Sequence, residues 1–405
     1  MFHTSKVAAF NLYLVGVFVC NVCLPPVSAQ SWECADGAIR FATFNASLSK
    51  DQAGAMLAVL RSDADAQIKK VAEIIQIVRP DVLLINEFDY DGAGEGAAMF
   101  LNNYLRQPQN NRQPIDYPHV FSQPSNTGLL SGVDLNNDGK IELPEDGYGF
   151  GRHPGHYGML VLSRFPIDAQ ASRTFQKFLW KDMPGALWPI DPRTGQVYYS
   201  ERAQAEFRLS SKSHWNVVIQ IESQQVHFLV SHPTPPVFDG PEDRNGARNH
   251  DEIRLWADYI GGRGDYLYDD QDRQGGLAAD ALFVIAGDQN ADPVDGDSRE
   301  RAILQLLDHP RVYDPMPRSP GGRQQAELQG GANKRHRGDP AFDTGDFNDR
   351  GPGNLRIDYV LPCRELRVTG SGVFWPLADQ PEFELVDCSD HRLVWADVLL
   401  PREEQ

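Results

Sequence analysis

Residues 65–87 read DAQIKKVAEIIQIVRPDVLLINE, and this stretch decides the fold class. Apolar side chains recur every three or four residues in its first half, which predicts one buried helical face, at Ile68, Val71, Ile74, Ile75 and Val78. Pro80 ends the helix, because proline lacks an N–H and constrains the residue before it. The run Val82–Ile85 is continuously apolar, as in a strand covered on both faces. The stretch therefore predicts a helix, then a buried strand with Asn86-Glu87 at its carboxyl end.

A strand before this stretch completes a βαβ unit. Residues 39–46 alternate β-branched and aromatic side chains and end in polar residues, which predicts a strand parallel to Val82–Ile85. Further strands are predicted at 158–163, 203–209, 215–221, 226–231, 282–286, 356–361 and 393–399, helices around 253–260 and 297–307, and long loops at 107–154 and 317–353. The pattern predicts one large α/β domain of layered sheets with helices outside.

The amino terminus indicates export. Lys6 precedes a mostly apolar run, and Val27-Ser28-Ala29 offers small residues before a cleavage position at Gln30. We therefore expect a signal peptide at 1–29, a single domain at 30–405 with a loop insertion at about 123–150, and a secreted or periplasmic location.

The chain has 405 residues and a formal net charge of −18, so its surface as a whole should repel nucleic acid. We expect no stable membrane insertion and a monomer.

Polar residues with catalytic potential stand at the ends of the predicted strands. They are Asn45, Glu87, the pair Asp288 and Asn290, Asp358, and the pair Asp390 and His391. A single polar strand end is weak evidence, because strand ends often meet water. The whole set in this order is more specific, since metal-assisted chemistry needs several carboxylate, amide and imidazole groups at one place.

These segments resemble the endonuclease/exonuclease/phosphatase superfamily, the metal-dependent phosphoesterases that include deoxyribonuclease I. The matching segments are Phe44-Asn45, Asn86-Glu87, Tyr157-Gly158, Val230-Ser231-His232, Gly287-Asp288-Gln289-Asn290, Arg356-Ile357-Asp358-Tyr359 and Ser389-Asp390-His391. The family usually has Gln-Glu where this chain has Asn86-Glu87. The resemblance covers about residues 38 to 399 and implies a four-layer α/β sandwich, in which two packed mixed β-sheets are flanked by helices.

The resemblance also implies a metal centre. Glu87 is the expected first ligand, with Asn45 and Asp390 beside it. Hard oxygen ligands of this kind suit Mg²⁺, or Mn²⁺ in its place.

The remaining matched residues imply the catalytic roles. Asp288 would orient or deprotonate the attacking water, and Asn290 would donate to the phosphate. His391 would bind or protonate the phosphoryl group, with Asp358 holding its tautomer through a carboxylate–imidazole bond. His232 would be a second imidazole facing the phosphate, and Tyr157 a donor to the phosphate or the leaving group.

A second Gly-Asp-x-Asn sequence occurs at residues 345–348. No apolar strand precedes it, whereas Leu282–Ala286 leads directly into Gly287. Because a catalytic motif needs a rigid element behind it, Gly287–Asn290 is the predicted site motif.

Residues 134–145 fit the twelve-position calcium loop. Oxygen-bearing residues occupy the expected places, and the candidate ligands are Asp134, Asn136, Asp138, Lys140 and Glu145. No helical periodicity flanks the loop, and Pro144 directly before the closing glutamate is unfavourable for such a loop. A structural Ca²⁺ and a plain Asx-rich turn both remain open.

Three basic residues are candidates for phosphate binding. Arg152, Arg248 and His250 could bind phosphate near the cleft, or could be solvated loop and helix residues.

Two of the cysteines are candidates for a disulfide. If the strands of Asp358 and His391 pair antiparallel, Cys363 and Cys388 lie almost in register. That premise predicts a Cys363–Cys388 disulfide and leaves Cys34 free.

The expected function is hydrolysis of phosphomonoesters or phosphodiesters outside the cytoplasm. The alternatives are a secreted endonuclease, with nucleic acid as a substrate only, and a lipid phosphodiesterase. A non-catalytic calcium-binding protein on the same scaffold is a further alternative, but such a protein should have lost part of the site, and every expected residue is present.

Overall fold

The βαβ unit at residues 39–87 is present in the computed structural model, which describes residues 33–402. Strand β1 (Ile39–Asn45) and strand β2 (Val82–Asn86) are parallel, with Asn45 opposite Asn86. Helix α2 (Ala66–Val78) connects them, and the side chain of Asp65 caps it by accepting the Ile68 N–H at 2.9 Å. The unit therefore delivers two polar strand ends to the same edge of one sheet.

The remaining elements follow in chain order. The other strands are β3 (His119–Phe121), β4 (Met159–Ser163), β5 (Ile167–Thr174), β6 (His214–Ile221), β7 (Gln224–Ser231), β8 (Leu282–Asp288), β9 (Gly345–Asp346), β10 (Asn354–Leu355), β11 (Asp358–Pro362), β12 (Arg367–Val373) and β13 (Val394–Leu399). The other helices are α1 (Ala55–Leu60), α3 (Glu95–Phe100), α4 (Glu201–Glu206), α5 (Arg244–Ile260), α6 (Leu304–Leu307) and α7 (Pro320–Gln329).

Two mixed sheets pack face to face. The first has the order β12-β13-β1-β2-β4-β3 and the second the order β11-β8-β7-β6-β5. Each contains one parallel pair, β1 with β2 and β7 with β8, among antiparallel neighbours. Aromatic rings join the facing sheets, since the centroids of Phe41 and Phe228 are 5.5 Å apart and those of Phe121 and Trp215 are also 5.5 Å apart.

Helices flank the sheets, as predicted. Trp256 of α5 packs its ring against Phe175 and His214, and its indole N–H donates to the Ser231 hydroxyl at the end of β7. The described residues, 33–402, fall in one compact unit. The predicted signal peptide at 1–29 lies outside the described residues. Within them, no helix has both the length and the apolar character needed to cross a bilayer.

Three predictions of secondary structure are wrong. The predicted loop 107–154 contains the short strand β3. Residues 203–209, predicted as a strand, contain the end of α4, because the Ser200 hydroxyl accepts the Ala203 N–H at 3.2 Å and starts a helix. The predicted loop 317–353 contains α7, where Ser319 is the cap and Pro320 occupies the first helical turn. In the latter two segments a serine side chain caps a helix that the apolar pattern does not reveal.

The predicted Cys363–Cys388 disulfide is also wrong. Both thiols are buried and free, and the exposed Cys34 is free as well. The premise fails because β11 pairs with β8 in the second sheet, while β13, which follows His391, belongs to the first sheet.

A buried ion pair ties the first and last strands of the first sheet together. Arg40 of β1 donates to both carboxylate oxygens of Asp397 of β13, at 2.6 and 2.7 Å. The two side chains are 2% and 4% exposed. A charge this deeply buried is costly without its partner, so the pair fixes the register between the two strands.

We predict that Asp397→Asn lowers the free energy of unfolding by about 3–5 kcal/mol, because it leaves the Arg40 charge buried and unpaired. Chemical denaturation measures the change. Asp387→Asn is the matched control, since its pair with Lys70 lies at the surface and should cost less than about 1 kcal/mol. Equal losses in the two variants would contradict the prediction.

Candidate active site

Strand ends from both sheets meet at one place. Asn45 ends β1, Glu87 follows β2, and Asp288 ends β8. Asp358 begins β11 and lies directly opposite Asp288 in the ladder. The Asp288 backbone N–H donates to the Asn86 side-chain oxygen at 3.3 Å, which joins the second sheet to the first. The candidate site therefore rests on the rigid ends of strands.

The Asp288 carboxylate occupies the middle of this cluster. Its Oδ2 lies 3.3 Å from His232 Nε2 and 3.6 Å from His391 Nε2, and it accepts the Asn45 amide at 3.1 Å. Its other oxygen accepts the Asn290 backbone N–H at 2.9 Å. Burial opposes ionisation of Asp288, but the two imidazoles outweigh it and hold the pKa of this carboxyl well below its usual range. Asp288 is thus a buried, ionised acceptor.

Asp358 and His391 form a carboxylate–imidazole pair. His391 Nδ1 lies 2.9 Å from Asp358 Oδ2, and the Thr344 hydroxyl donates to the same oxygen at 2.9 Å. Burial alone would lower the pKa of His391, but Asp358 and Asp288 raise it to about 10. His391 is therefore an imidazolium that directs Nε2 toward Asp288 and Asn45, as a proton donor to a bound anion requires.

His232 differs from His391 although both contact Asp288. Burial and the nearby Lys212 ammonium lower the pKa of His232, so its imidazole is neutral. Its Nδ1 is buried and has no hydrogen-bond partner among the described residues. The site thus pairs one charged and one neutral imidazole around a single carboxylate.

Glu87 and Asn45 provide oxygen ligands beside this cluster. The Asn45 amide donates to Glu87 Oε1 at 3.2 Å, so the two side chains are adjacent. Glu87 is half-buried, has φ of 59°, and forms no ion pair among the described residues. A half-buried carboxylate that forms no ion pair and lies next to an amide oxygen fits a hard divalent cation. Asp288, Asp358 and His391 also offer ligand atoms within 4.8 Å of one another.

Asp390 lies at the rim. Its side chain is exposed, and Oδ1 accepts the Ser47 hydroxyl at 3.2 Å. Ser47 is two residues beyond Asn45, and its backbone N–H donates to Asn45 Oδ1 at 3.2 Å. Asp390 is thus linked to the expected metal ligands through Ser47.

Tyr157 and Asn290 both adopt left-handed backbone conformations, with φ of 54° and 52°. The Tyr157 N–H donates to Asp89 Oδ1 at 3.2 Å, and burial together with the Glu87 charge raises the pKa of its phenol. The Asn290 amide donates to the Pro233 carbonyl at 3.1 Å, beside His232. Strained non-glycine residues of this kind are common at functional sites.

The predicted basic groups divide between rim and interior. Arg248 is not available to phosphate, because its buried guanidinium donates to the carbonyls of Leu209, Tyr148 and Arg208. The His250 ring instead contacts Asp251, at 3.0 Å. Arg152 is half-exposed near Tyr157 and pairs with Asp51 at 3.2 Å.

The candidate calcium loop folds as a series of Asx turns. Asp134 accepts the Gly139 N–H at 2.9 Å, and Asp138 accepts the Lys140 N–H at 2.8 Å. The Asn136 oxygen accepts the Asp138 N–H at 3.1 Å, while Glu145 is exposed. Asp134 Oδ1 is buried without a hydrogen-bond partner among the described residues. Calcium binding here stays a prediction.

The sequence does not predict two residues of the site. Asn86 belongs to a matched segment without a predicted role, yet it joins the two sheets. Lys212 is buried, and its ammonium interacts with Glu252, Asp288 and Glu87; burial nevertheless lowers its pKa. A lysine among Ser210, Ser211 and Ser213 directly before a buried strand could have indicated it.

The second Gly-Asp-x-Asn motif, at 345–348, lies near the site, because the Phe347 ring is 5.5 Å from that of His391. Its aspartate, Asp346, pairs with Arg392.

The sequence model of the Endonuclease/Exonuclease/phosphatase family matches residues 42–391. The chain belongs to this family. Members of the family are phosphoesterases. A comparison with curated proteins gives no match.

Solved structures of the family are similar to this one at low identity. The endonuclease/exonuclease/phosphatase from Beutenbergia cavernae is 19% identical with a TM-score of 0.48, over 90% of this chain and 72% of that one. Sphingomyelinase C from Streptomyces griseocarneus is 13% identical with a TM-score of 0.44, over 89% and 99% of the two chains. The human nocturnin catalytic domain is 13% identical with a TM-score of 0.44, over 90% and 94%. Similarities this low do not distinguish substrates.

We predict that Asn86→Ala lowers the free energy of unfolding by about 1–3 kcal/mol, because the Asp288 N–H loses its buried acceptor. Hydrolytic activity should fall as well, since Asp288 loses its anchor to the first sheet. Denaturation and steady-state kinetics measure the two effects. Asn102→Ala, at an exposed position, should change stability by no more than about 0.5 kcal/mol. An Asn86→Ala variant as stable and active as this control would refute the role of Asn86.

Proposed function

We propose that this chain is a secreted hydrolase of phosphate monoesters or diesters that requires Mg²⁺ or Mn²⁺. The observation that carries the proposal is the Asp288 carboxylate, held 3.3 Å from His232 Nε2 and 3.6 Å from His391 Nε2. An ionised acceptor between two imidazoles can hold a water while both rings contact a phosphoryl oxygen. The export sequence at 1–29 supports the extracellular location.

Each residue has a distinct part in the proposed reaction. Asp288 orients the attacking water through its carboxylate, because a pKa far below neutral makes it a better acceptor than base. His391 donates its Nε2 proton to the phosphoryl group, and Asp358 keeps that ring charged and oriented. Asn290 and the neutral His232 complete the contacts to the phosphate, and Tyr157 faces the leaving group.

Glu87, Asn45 and Asp390 are the proposed metal ligands. Their carboxylate and amide oxygens are the ligand type that Mg²⁺ and Mn²⁺ prefer. A bound cation would polarise a phosphoryl oxygen and stabilise the charge that develops during displacement. The Asn45 amide, which contacts Glu87, Asp288 and His391, holds the ligands against the catalytic groups.

The experiment compares mono- and bis-nitrophenyl phosphate, plasmid DNA and sphingomyelin under Mg²⁺, Mn²⁺ and Ca²⁺. We predict hydrolysis of at least one nitrophenyl ester with Mg²⁺ or Mn²⁺ and none after chelation. Asp288→Asn and His391→Gln should each lower kcat/KM by about 10²–10⁴-fold, the range for loss of an acid or base.

Two substitutions of the same chemistry serve as controls. Asp63→Asn alters an exposed carboxylate, and His119→Gln alters an imidazole on β3, at the far end of the first sheet from Glu87. Both should retain full activity. Unchanged activity in Asp288→Asn or His391→Gln would overturn the site assignment, whereas activity on DNA or sphingomyelin alone would replace the proposed substrate class.

We also propose that residues 134–145 bind a structural Ca²⁺. The buried, unpartnered Asp134 Oδ1 and the liganding pattern of the loop support it. Calorimetry should detect Ca²⁺ uptake by the wild-type chain and its loss in the double variant Asp134→Ala, Asp138→Ala. The same uptake by both proteins would contradict the assignment.

A further inference from the structure

A second group of potential metal ligands lies beside the candidate active site. Asp89, His153 and His156 place one carboxylate oxygen and two ring nitrogens within 4.8 Å of one another. Asp89 is 7% exposed and His156 is 1% exposed, while His153 is half-buried. None of the three belongs to the set proposed for hydrolysis.

Backbone hydrogen bonds hold the carboxylate of this group in place. Asp89 stands two residues beyond Glu87, and its Oδ2 accepts the Lys50 N–H at 3.0 Å. Its Oδ1 accepts the Tyr157 N–H at 3.2 Å. Three segments of the chain therefore converge on Asp89, and its position does not depend on surface side chains.

The imidazoles are also pre-positioned. His153 Nε2 lies 2.9 Å from the Lys50 carbonyl, and Nδ1 makes a longer contact of 3.3 Å with the Pro154 carbonyl, which a metal at Nδ1 would replace. A ligating histidine usually makes this kind of outer hydrogen bond. The His153 and His156 rings stack with their centroids 4.8 Å apart, and burial lowers the pKa of His156 to about 4, which keeps its ring neutral. His156 Nδ1 accepts the Arg152 N–H at 3.2 Å, a long contact that a metal at Nδ1 would replace.

The buried carboxylate of this group has no ion-pair partner among residues 33–402. The guanidinium of Arg152, which precedes His153 in the chain, lies at the surface and pairs with Asp51 rather than with Asp89. Buried carboxylates are generally paired or bound to a metal, so a divalent cation would supply what the protein does not.

We propose that Asp89, His153 and His156 form a second metal site that binds Zn²⁺. Two imidazole nitrogens and one carboxylate are ligands of borderline metals, whereas the oxygen ligands at Glu87 and Asn45 suit Mg²⁺. The half-exposed His153 leaves one side of the site open for the ion to enter and for a water to complete the coordination. The proposal does not depend on the hydrolytic function.

The bound ion would also hold Tyr157 in position, through the ligands His156 and Asp89. The His156 ring stacks on the Tyr157 ring at a centroid distance of 3.7 Å, and Asp89 accepts the Tyr157 N–H. Zn²⁺ held by His156 and Asp89 would therefore fix the ring and the backbone of Tyr157 together. The site is in this sense a positioning device next to the active site.

The test is a titration with Zn²⁺ by calorimetry in excess Mg²⁺, on the chain purified without a polyhistidine tag. The wild-type chain should bind one equivalent, and Zn²⁺ should raise its Tm. His153→Gln and His156→Gln should each weaken Zn²⁺ binding more than about tenfold and abolish the rise in Tm. X-ray absorption of the zinc-loaded chain should show two imidazole nitrogens at about 2.0–2.1 Å.

Two controls make the result specific. His119→Gln changes an imidazole far from the site, and Glu87→Gln disables the proposed Mg²⁺ site; both should bind Zn²⁺ like the wild type. Circular dichroism checks that each variant is folded, and His153→Gln is the decisive one because its side chain is partly exposed. Absence of Zn²⁺ uptake by the wild type, unchanged uptake in folded His153→Gln, or loss of uptake in Glu87→Gln would each overturn the proposal.

Discussion

The hydrogen bond from the Asp288 N–H to the Asn86 side chain is the contact on which the rest of the site depends. Two sheets that pack through apolar faces can slide, because hydrophobic contacts have no preferred direction. A hydrogen bond between strand ends does have one, and it is buried, so its loss is costly. This bond joins β2 and β8 at their carboxyl ends. Asn45 on one sheet and Asp358 on the other therefore both come close to Asp288 and His391.

The charge states of the two histidines follow from what surrounds each ring. His391 has two carboxylates, Asp358 and Asp288, and its pKa rises despite burial. His232 has Asp288 but also the Lys212 ammonium, and burial prevails. Two imidazoles on one carboxylate therefore carry different charges at neutral pH, and titratable groups set apart in this way can serve as separate donor and acceptor.

The sequence predicted which residues meet at one sheet edge better than it predicted the connections between strands. Continuous apolar runs such as Val82–Ile85 are unambiguous, and the polar residue after each run lies at a predictable sheet edge. The local pattern of a strand does not determine which sheet it joins. The premise that the strands of Asp358 and His391 pair is therefore wrong, and so is the Cys363–Cys388 disulfide that depends on it. The same limit applies to Arg248, since only the fold reveals which carbonyl groups it reaches.

The position of β13 has a consequence for the order in which the molecule can assemble. The last strand of the chain pairs with the first, and its register is held by Arg40 and Asp397. Asn45 and His391, which touch in the folded protein, are 346 residues apart. Because the two residues are so far apart in sequence, the polypeptide between them must be made before they can meet, and contacts over such a distance form slowly. A nascent or truncated chain thus carries the separate parts of the site without the arrangement that makes them reactive.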